Sequence, residues 1–320
     1  MREYEYGSAL APDIRAYVAF KASVGVTGSS MRWHLFDFDR WCAAKGFSSL
    51  TKEAVESYVL DRLSRTDPSQ TTWASYLREF GRWMRANGKP DAYVLSGDFK
   101  TTAARKVPYL LSDEEVDAFF DAAARLDVRS PMSWEARCLF GLMHSCGLRT
   151  CEARRLRVED VDLDGMRIDI MWSKGHRSRR LAITGEVAEM LERCGSMTDA
   201  AVGADRPAFF ATSTGNVVGG AAVGTVFGRI WLDAGLPESK GGKRPRPYDL
   251  RHRFAYANIE RWQREGRDVM AMLPYLARYM GHSSYESTYY YVHTSPDFMA
   301  GYADVVSPRD ALLPEVGFDG

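Results

Sequence analysis

The chain has no apolar run approaching the ~18 residues that a membrane-spanning helix requires. Its opening residues, Met1-Arg2-Glu3-Tyr4-Glu5, contain no apolar segment of signal-peptide type. Cysteine is scarce as well. Cys42, Cys138, Cys146, Cys151 and Cys194 form no Cys-x-x-Cys pair, and five is an odd number, which argues against a disulfide framework. These absences lead us to expect a reduced, cytoplasmic protein with buried thiols. Net charge is also missing: 42 Lys and Arg balance 42 Asp and Glu, so the simplest mark of a nucleic-acid partner is absent. No internal repeat is evident. The run Gly219-Gly220-Ala221-Ala222-Val223-Gly224 lacks the Gly-Lys-Ser/Thr ending of a phosphate loop and reads as a turn before a helix.

What is present is charge gathered in particular places. Lys174 to Arg180 (Lys-Gly-His-Arg-Ser-Arg-Arg) carries four formal positive charges and no negative one. Between Lys240 and Arg253, six cations face the single Asp249. Either run alone reads equally well as a solvated loop. Together they suggest a polyanion-binding face built from Arg177, Arg179, Arg180, Lys243, Arg244 and Arg246.

At 320 residues the chain is long enough for two domains, and its fold class is mainly α with a small β-hairpin or sheet. Residues 12–23, 30–44, 52–63 and 71–86 carry apolar side chains at helical spacing and predict a four-helix bundle. From Ser96 to Lys106 the periodicity stops in what reads as an exposed basic linker, which sets a boundary near residue 105. A capping box at Ser112 to Glu115 then opens a second domain over residues 106–308, followed by a tail at 309–320. Residues 167–172 and 180–183 predict a strand pair with Lys174 and Arg177 at its tip. Pro245 and Pro247 set up a helix over 248–266. A short helix is expected between Pro274 and Gly281, and another from a capping box at Ser283 to Glu286 that carries Tyr291.

Certain residues in the second domain suit chemistry on a phosphodiester. Guanidiniums are always ionised and can bond two oxygens of a phosphate at once, and Arg149 and Arg251 are the candidates. A tyrosine hydroxyl attacks phosphorus only within positive charge and, ideally, beside a base; the run Tyr289-Tyr290-Tyr291 supplies the candidates. Lys174, on a hairpin tip, could protonate a leaving oxygen. Each signal alone has an ordinary reading: a helix arginine on the surface, a capped loop histidine, a packed aromatic run. His282 and His293 are spaced wrongly for one helix face and lack an acidic partner, so neither a metal nor any other cofactor is expected.

The order and spacing of these motifs resemble the catalytic domain of the tyrosine recombinases, the phage integrase family. Gly147-Leu148-Arg149-Thr150-Cys151-Glu152 resembles the first arginine motif, with Glu152 as its supporting acid, and Lys174 to Leu181 resembles the lysine hairpin. Tyr248-Asp249-Leu250-Arg251-His252 resembles the His-x-x-Arg motif, and Met280-Gly281-His282-Ser283-Ser284 with Tyr291 resembles the last two boxes. The match covers about Ser112 to Pro296. It implies that residues 1–105 are a SAM-like core-binding domain, with no room ahead for an arm-binding domain. It implies too that the partner is a double-stranded DNA core site, that Tyr291 forms a 3′-phosphotyrosyl link to it without ATP or metal, and that four protomers assemble on two duplexes, as in a mobile-element integrase. Tyr248 departs from the family's histidine, and tyrosine is a poor base near neutral pH. His252, one position past Arg251, is expected to point elsewhere on an ideal helix and not to replace it. Two alternatives therefore stay open: a catalytically impaired DNA-binding relative, and a type IB topoisomerase acting as a monomer.

Overall fold

Aromatic and aliphatic side chains recurring every three or four residues turn the first hundred residues into four helices, α1 (Ala11–Ser23), α2 (Ser29–Lys45), α3 (Lys52–Arg65) and α4 (Thr72–Ala86). In this computed structural model, which describes residues 4–26, 29–65, 72–99, 108–171, 178–282 and 286–294, they belong to a compact unit spanning Met1–Lys106. Ile14, Tyr17, Leu35, Phe38, Tyr58, Val59 and Phe80 fill its core. Gly46 and Gly88 adopt φ of +73° and +87° just past the ends of α2 and α4, the left-handed turn that glycine makes at least cost. Within the core Arg62 is nearly sealed. It pairs with Asp37, donates to the Tyr58 hydroxyl at 3.0 Å, and lies 5.1 and 5.6 Å from the ring centres of Trp33 and Trp73.

The second unit, Val107–Gly320, is built around one apolar helix. Its helices are α5 (Asp113–Ala124), α6 (Met132–Ser145), α7 (Thr150–Ala153), α8 (Gly185–Val202), α9 (Gly220–Asp233), α10 (Pro247–Arg264), α11 (Val269–Met280) and α12 (Glu286–Thr294). Helix α6 is buried almost all round, as expected of a helix apolar on every side, and it packs against α5, α8, α9 and α10. The capping box at Ser112 is formed: the Ser112 hydroxyl accepts from Glu115 N–H at 3.2 Å, and the Glu115 carboxylate accepts from Ser112 N–H at 2.9 Å.

Strands β1 (Val161–Asp162), β2 (Arg167–Ile170) and β3 (Arg179–Ala182) form an antiparallel sheet in that order, with Ile168 opposite Leu181 and Asp169 opposite Arg180. Ile168, Ile170 and Leu181 point inward while their neighbours stay more exposed. The expected pair is thus a three-stranded sheet, because a two-residue strand leaves no periodicity to read. Two helix expectations shift. Helix α11 starts at Val269, capped by Asp268 Oδ1, and contains Pro274 inside it. The glycine-rich run is not a turn before α9 but largely its first turns, since that helix begins at Gly220. The Ser283 cap and residues 100–106 of the expected linker lie outside the described residues, while its start at Gly97–Phe99 is a short 3-10 turn. Among the described residues no helix is long and apolar enough to cross a membrane.

Candidate active site

Chain reversal after α6 fixes the first arginine. Gly147 takes φ of +61°, and a Cβ there would come within 2.5 Å of the Phe254 ring, so only glycine fits. Arg149 then caps the short α7. The Glu152 carboxylate at its third position accepts from Arg149 N–H at 2.9 Å and from Arg149 Nη1 at 2.7 Å. Arg149 Nη2 reaches the Gly281 carbonyl at 2.7 Å, far along the chain.

Glu152 is the buried hub of the site. Arg179, from β3, grips it with Nη1 at 3.0 Å and Nη2 at 2.8 Å, and Arg251 Nη1 lies 3.9 Å from its Oε2. Burial alone would raise the pKa of this carboxyl. The bonds from Arg179 and Arg149 outweigh burial and hold it at about 2. Three guanidiniums against one carboxylate leave a surplus of two positive charges here.

Arg251 projects from α10 and is fully buried. It donates to the Gly147 carbonyl and, at 2.8 Å, to the Met280 carbonyl, while its Nε has no partner among the described residues. The end of α11 brings in the next residue. Gly281 closes that helix in the left-handed region, and His282 N–H returns to the Ala277 carbonyl at 2.9 Å. His282 Nδ1 lies 2.7 Å from the Thr288 hydroxyl. Burial, followed by the charges of Arg251, Arg149 and Arg179, holds the His282 pKa near 3, so the ring is neutral at pH 7.

Tyr291, on α12, is only 2% exposed. Burial pushes its hydroxyl pKa up, and Arg251 pulls it back down. Its ring is nearly parallel to that of His282, 6.2 Å away. Its hydroxyl lies 3.0 Å from His252 Nδ1, which corrects the expectation that His252 points elsewhere. The physical reason is helical phase: His252 is one residue from Arg251 but one full turn from Tyr248. It shares the Tyr248 stripe of α10, and α12 packs on that stripe. Burial, then Arg246 and Arg251, lower the His252 pKa to about 3. The spacing of Tyr248 and His252 was the signal that could have found this contact.

The other candidates are scattered. Tyr248 is half-buried, its ring 4.9 Å from that of His252 and 5.9 Å from the Arg251 guanidinium carbon. Arg179, expected on the DNA-binding face, is instead committed to Glu152 and to the Tyr279 carbonyl at 2.8 Å, with 11% of its side chain exposed. Arg180 is exposed and paired with Asp169 at 2.7 Å across the strands. Arg246 pairs with the buried Asp249 at 3.2 Å. Lys240 and Lys243 bracket a tight turn through Gly241 and Gly242, and Arg244 follows, exposed. Lys174 and Arg177 lie outside the described residues, as does the side chain of His293. Among the described residues no group of three or more His, Cys, Asp or Glu side chains could hold a metal ion.

Comparison with known proteins matches residues 110–297 to the phage integrase family. The Sinorhizobium fredii protein y4rE, classed with integrases and recombinases, is 30% identical over 294 residues, 91% of this chain and 94% of its own length. Tyrosine recombinase XerC of Chromobacterium violaceum is 27% identical over 232 residues, 72% of this chain and 71% of its own. The fold is similar to that of the XerH site-specific recombinase bound to a palindromic difH substrate. The TM-score is 0.62 at 20% identity, over 85% of this chain and 77% of that one.

Proposed function

The chain belongs to the phage integrase family of tyrosine-type site-specific recombinases, and from that premise we propose that it cuts and rejoins DNA through a covalent bond to Tyr291. The Tyr291 oxygen attacks a backbone phosphorus, forming a 3′-phosphotyrosyl link and releasing a 5′ hydroxyl. That hydroxyl, or one from a partner duplex, then reverses the attack. The link conserves the energy of the broken bond, so rejoining needs no external source. Arg149 and Arg251 hold the non-bridging oxygens, where negative charge grows in the transition state. His282 adds a hydrogen bond, and Lys174 protonates the leaving oxygen.

The observation that carries this reading is that Arg149 and Arg251 meet at the buried Glu152 carboxylate with its positive surplus, while His282 and Tyr291, from two further segments, lie ring to ring within the influence of Arg251. The DNA partner is a core site gripped by the helical first unit and by the basic residues Arg177, Arg180, Lys243, Arg244 and Arg246 of the second. Strand exchange between two duplexes calls for a homo-tetramer on DNA.

A nicked suicide substrate, which loses its 5′ hydroxyl after cleavage, tests the reading. The wild type is expected to accumulate a covalent protein–DNA adduct, and Tyr291→Phe to form none. An adduct in Tyr291→Phe would move the nucleophile to Tyr290 or Tyr289. One observation favours a second reading: Tyr248 stands where the family carries histidine. A wild type that binds core DNA but never traps it would make the chain a non-cleaving DNA-binding relative.

A further inference from the structure

Tyr248, His252 and Tyr256 stand one helical turn apart on a single stripe of α10. Tyr291 is laid across that stripe, its ring 5.5 Å from His252 and 5.3 Å from Tyr256, which it meets edge-on. Of the three side chains, it is His252 whose Nδ1 lies 3.0 Å from the Tyr291 hydroxyl. The Tyr248 ring packs against the His252 ring at 73°, which limits how the imidazole can turn.

We propose that His252 is a catalytic residue of this chain, its Nδ1 accepting the Tyr291 proton during attack and returning it during rejoining. The proposal rests on Tyr291 being the nucleophile. As the bond from the Tyr291 oxygen to phosphorus forms, its proton passes to Nδ1, and the imidazole, already protonated on Nε2, becomes a cation beside the charged phosphate. The bond from phosphorus to the 5′ oxygen breaks, its electron pair leaves with that oxygen, and Lys174 supplies the proton that completes the 5′ hydroxyl. Rejoining runs every transfer backwards.

Three features support this assignment. The distance is that of a hydrogen bond to the reacting atom itself. The ring is neutral before DNA arrives, because burial and two neighbouring arginines disfavour its cation, and its Nε2–H tautomer presents the Nδ1 lone pair to the Tyr291 hydroxyl. A bound phosphate reverses that bias by bringing negative charge to the pocket. The role that the family pattern gives to position 248 thus passes one turn along α10 to a residue on the same face, while the tyrosine at 248 acts as its packing wall.

The test measures adduct formation on the suicide substrate with either a bridging 5′ oxygen or a bridging 5′ sulfur, which leaves without needing a proton. His252→Ala and His252→Asn are expected to cleave about 100-fold more slowly or worse with both leaving groups. Lys174→Ala should recover with sulfur, and Tyr248→Phe should stay within a few-fold of wild type. Asparagine keeps a hydrogen-bonding atom near the Nδ1 position but cannot take the proton. Its melting temperature and DNA affinity, expected to match wild type, separate a chemical defect from a folding one. Near-wild-type cleavage by His252→Asn would overturn the proposal, as would recovery of either His252 variant with sulfur. A wild type that forms no adduct with either substrate would bring down the nucleophile assignment itself, a different failure from a wild type that traps DNA as well as its His252 variants do.

Discussion

Arg62 in the first unit and Arg251 in the second are both buried beside aromatic side chains, and these two are satisfied in opposite ways. Arg62, in the first unit, meets the carboxylate of Asp37 and the hydroxyl of Tyr58 between tryptophan faces. Its charge is cancelled where it sits. Arg251, in the second unit, donates to two main-chain carbonyls instead. The carboxylate it approaches, Glu152, is 3.9 Å away and already gripped by Arg179 and Arg149. Carbonyl oxygens satisfy a guanidinium's hydrogen bonds without neutralising it. Arg62 is thus neutralised within its own core, whereas Arg251 keeps its charge, as the proposed role in holding a phosphate requires.

Substitution of the two arginines should split along that line. Arg251→Ala is expected to slow adduct formation by about 1000-fold, the cost of losing one well-placed donor to transition-state charge, while DNA affinity in a filter or gel assay falls far less. If affinity fell as steeply as cleavage, Arg251 would be a ground-state anchor and the contrast would collapse. Arg62→Ala should do the reverse. It is expected to lower unfolding free energy by about 2 kcal/mol, less than a fully buried pair would give because Asp37 is partly exposed, and to leave the cleavage rate on saturating DNA within a few-fold.

Acid sharpens the same comparison with a smaller effect. The Glu152 carboxyl titrates near 2 in the folded chain against an ordinary 4.5. A depressed carboxyl contributes stability that is complete above its ordinary pKa and is lost as pH falls through the folded value. The melting temperature should therefore decline from about pH 4.5 downward, and Glu152→Gln, though less stable at neutrality, should show a shallower decline over that range. An equal slope in both proteins would mean that the hub carries no linkage of its own.

Much of this was legible from residue order. The four helices of the first unit follow from aromatic spacing, and Arg149, Arg251, His282 and Tyr291, each with an ordinary reading when taken alone, stand out as candidates only through their joint order and spacing. The harder features depend on contacts between distant segments. The basic run at 174–180 looks uniform, yet Arg179 is drawn into Glu152, an acid 27 positions earlier, while Arg180, pointing the other way along the strand, stays in solvent. His252 was judged against Arg251, its neighbour in sequence, when the relevant neighbour was Tyr248, one turn away. Pro274 looked like a helix start because proline favours first turns, but Asp268 had already capped the helix a turn and a half earlier.

Gly147 and Gly281 each lend a carbonyl to an arginine, the first to Arg251 and the second to Arg149. A Cβ on Gly281 would meet the Arg179 guanidinium at 2.8 Å, just as one on Gly147 would strike Phe254. The spacing of the two guanidiniums is therefore a dimension of the backbone, set where two turns come together, and not a matter of rotamer choice. An engineer who rebuilt the DNA-contacting surface to read a different site would inherit that spacing unchanged. Under the proposed function, target preference and cutting chemistry are in this sense separately adjustable, and the two glycines are the positions at which a library should not be randomised.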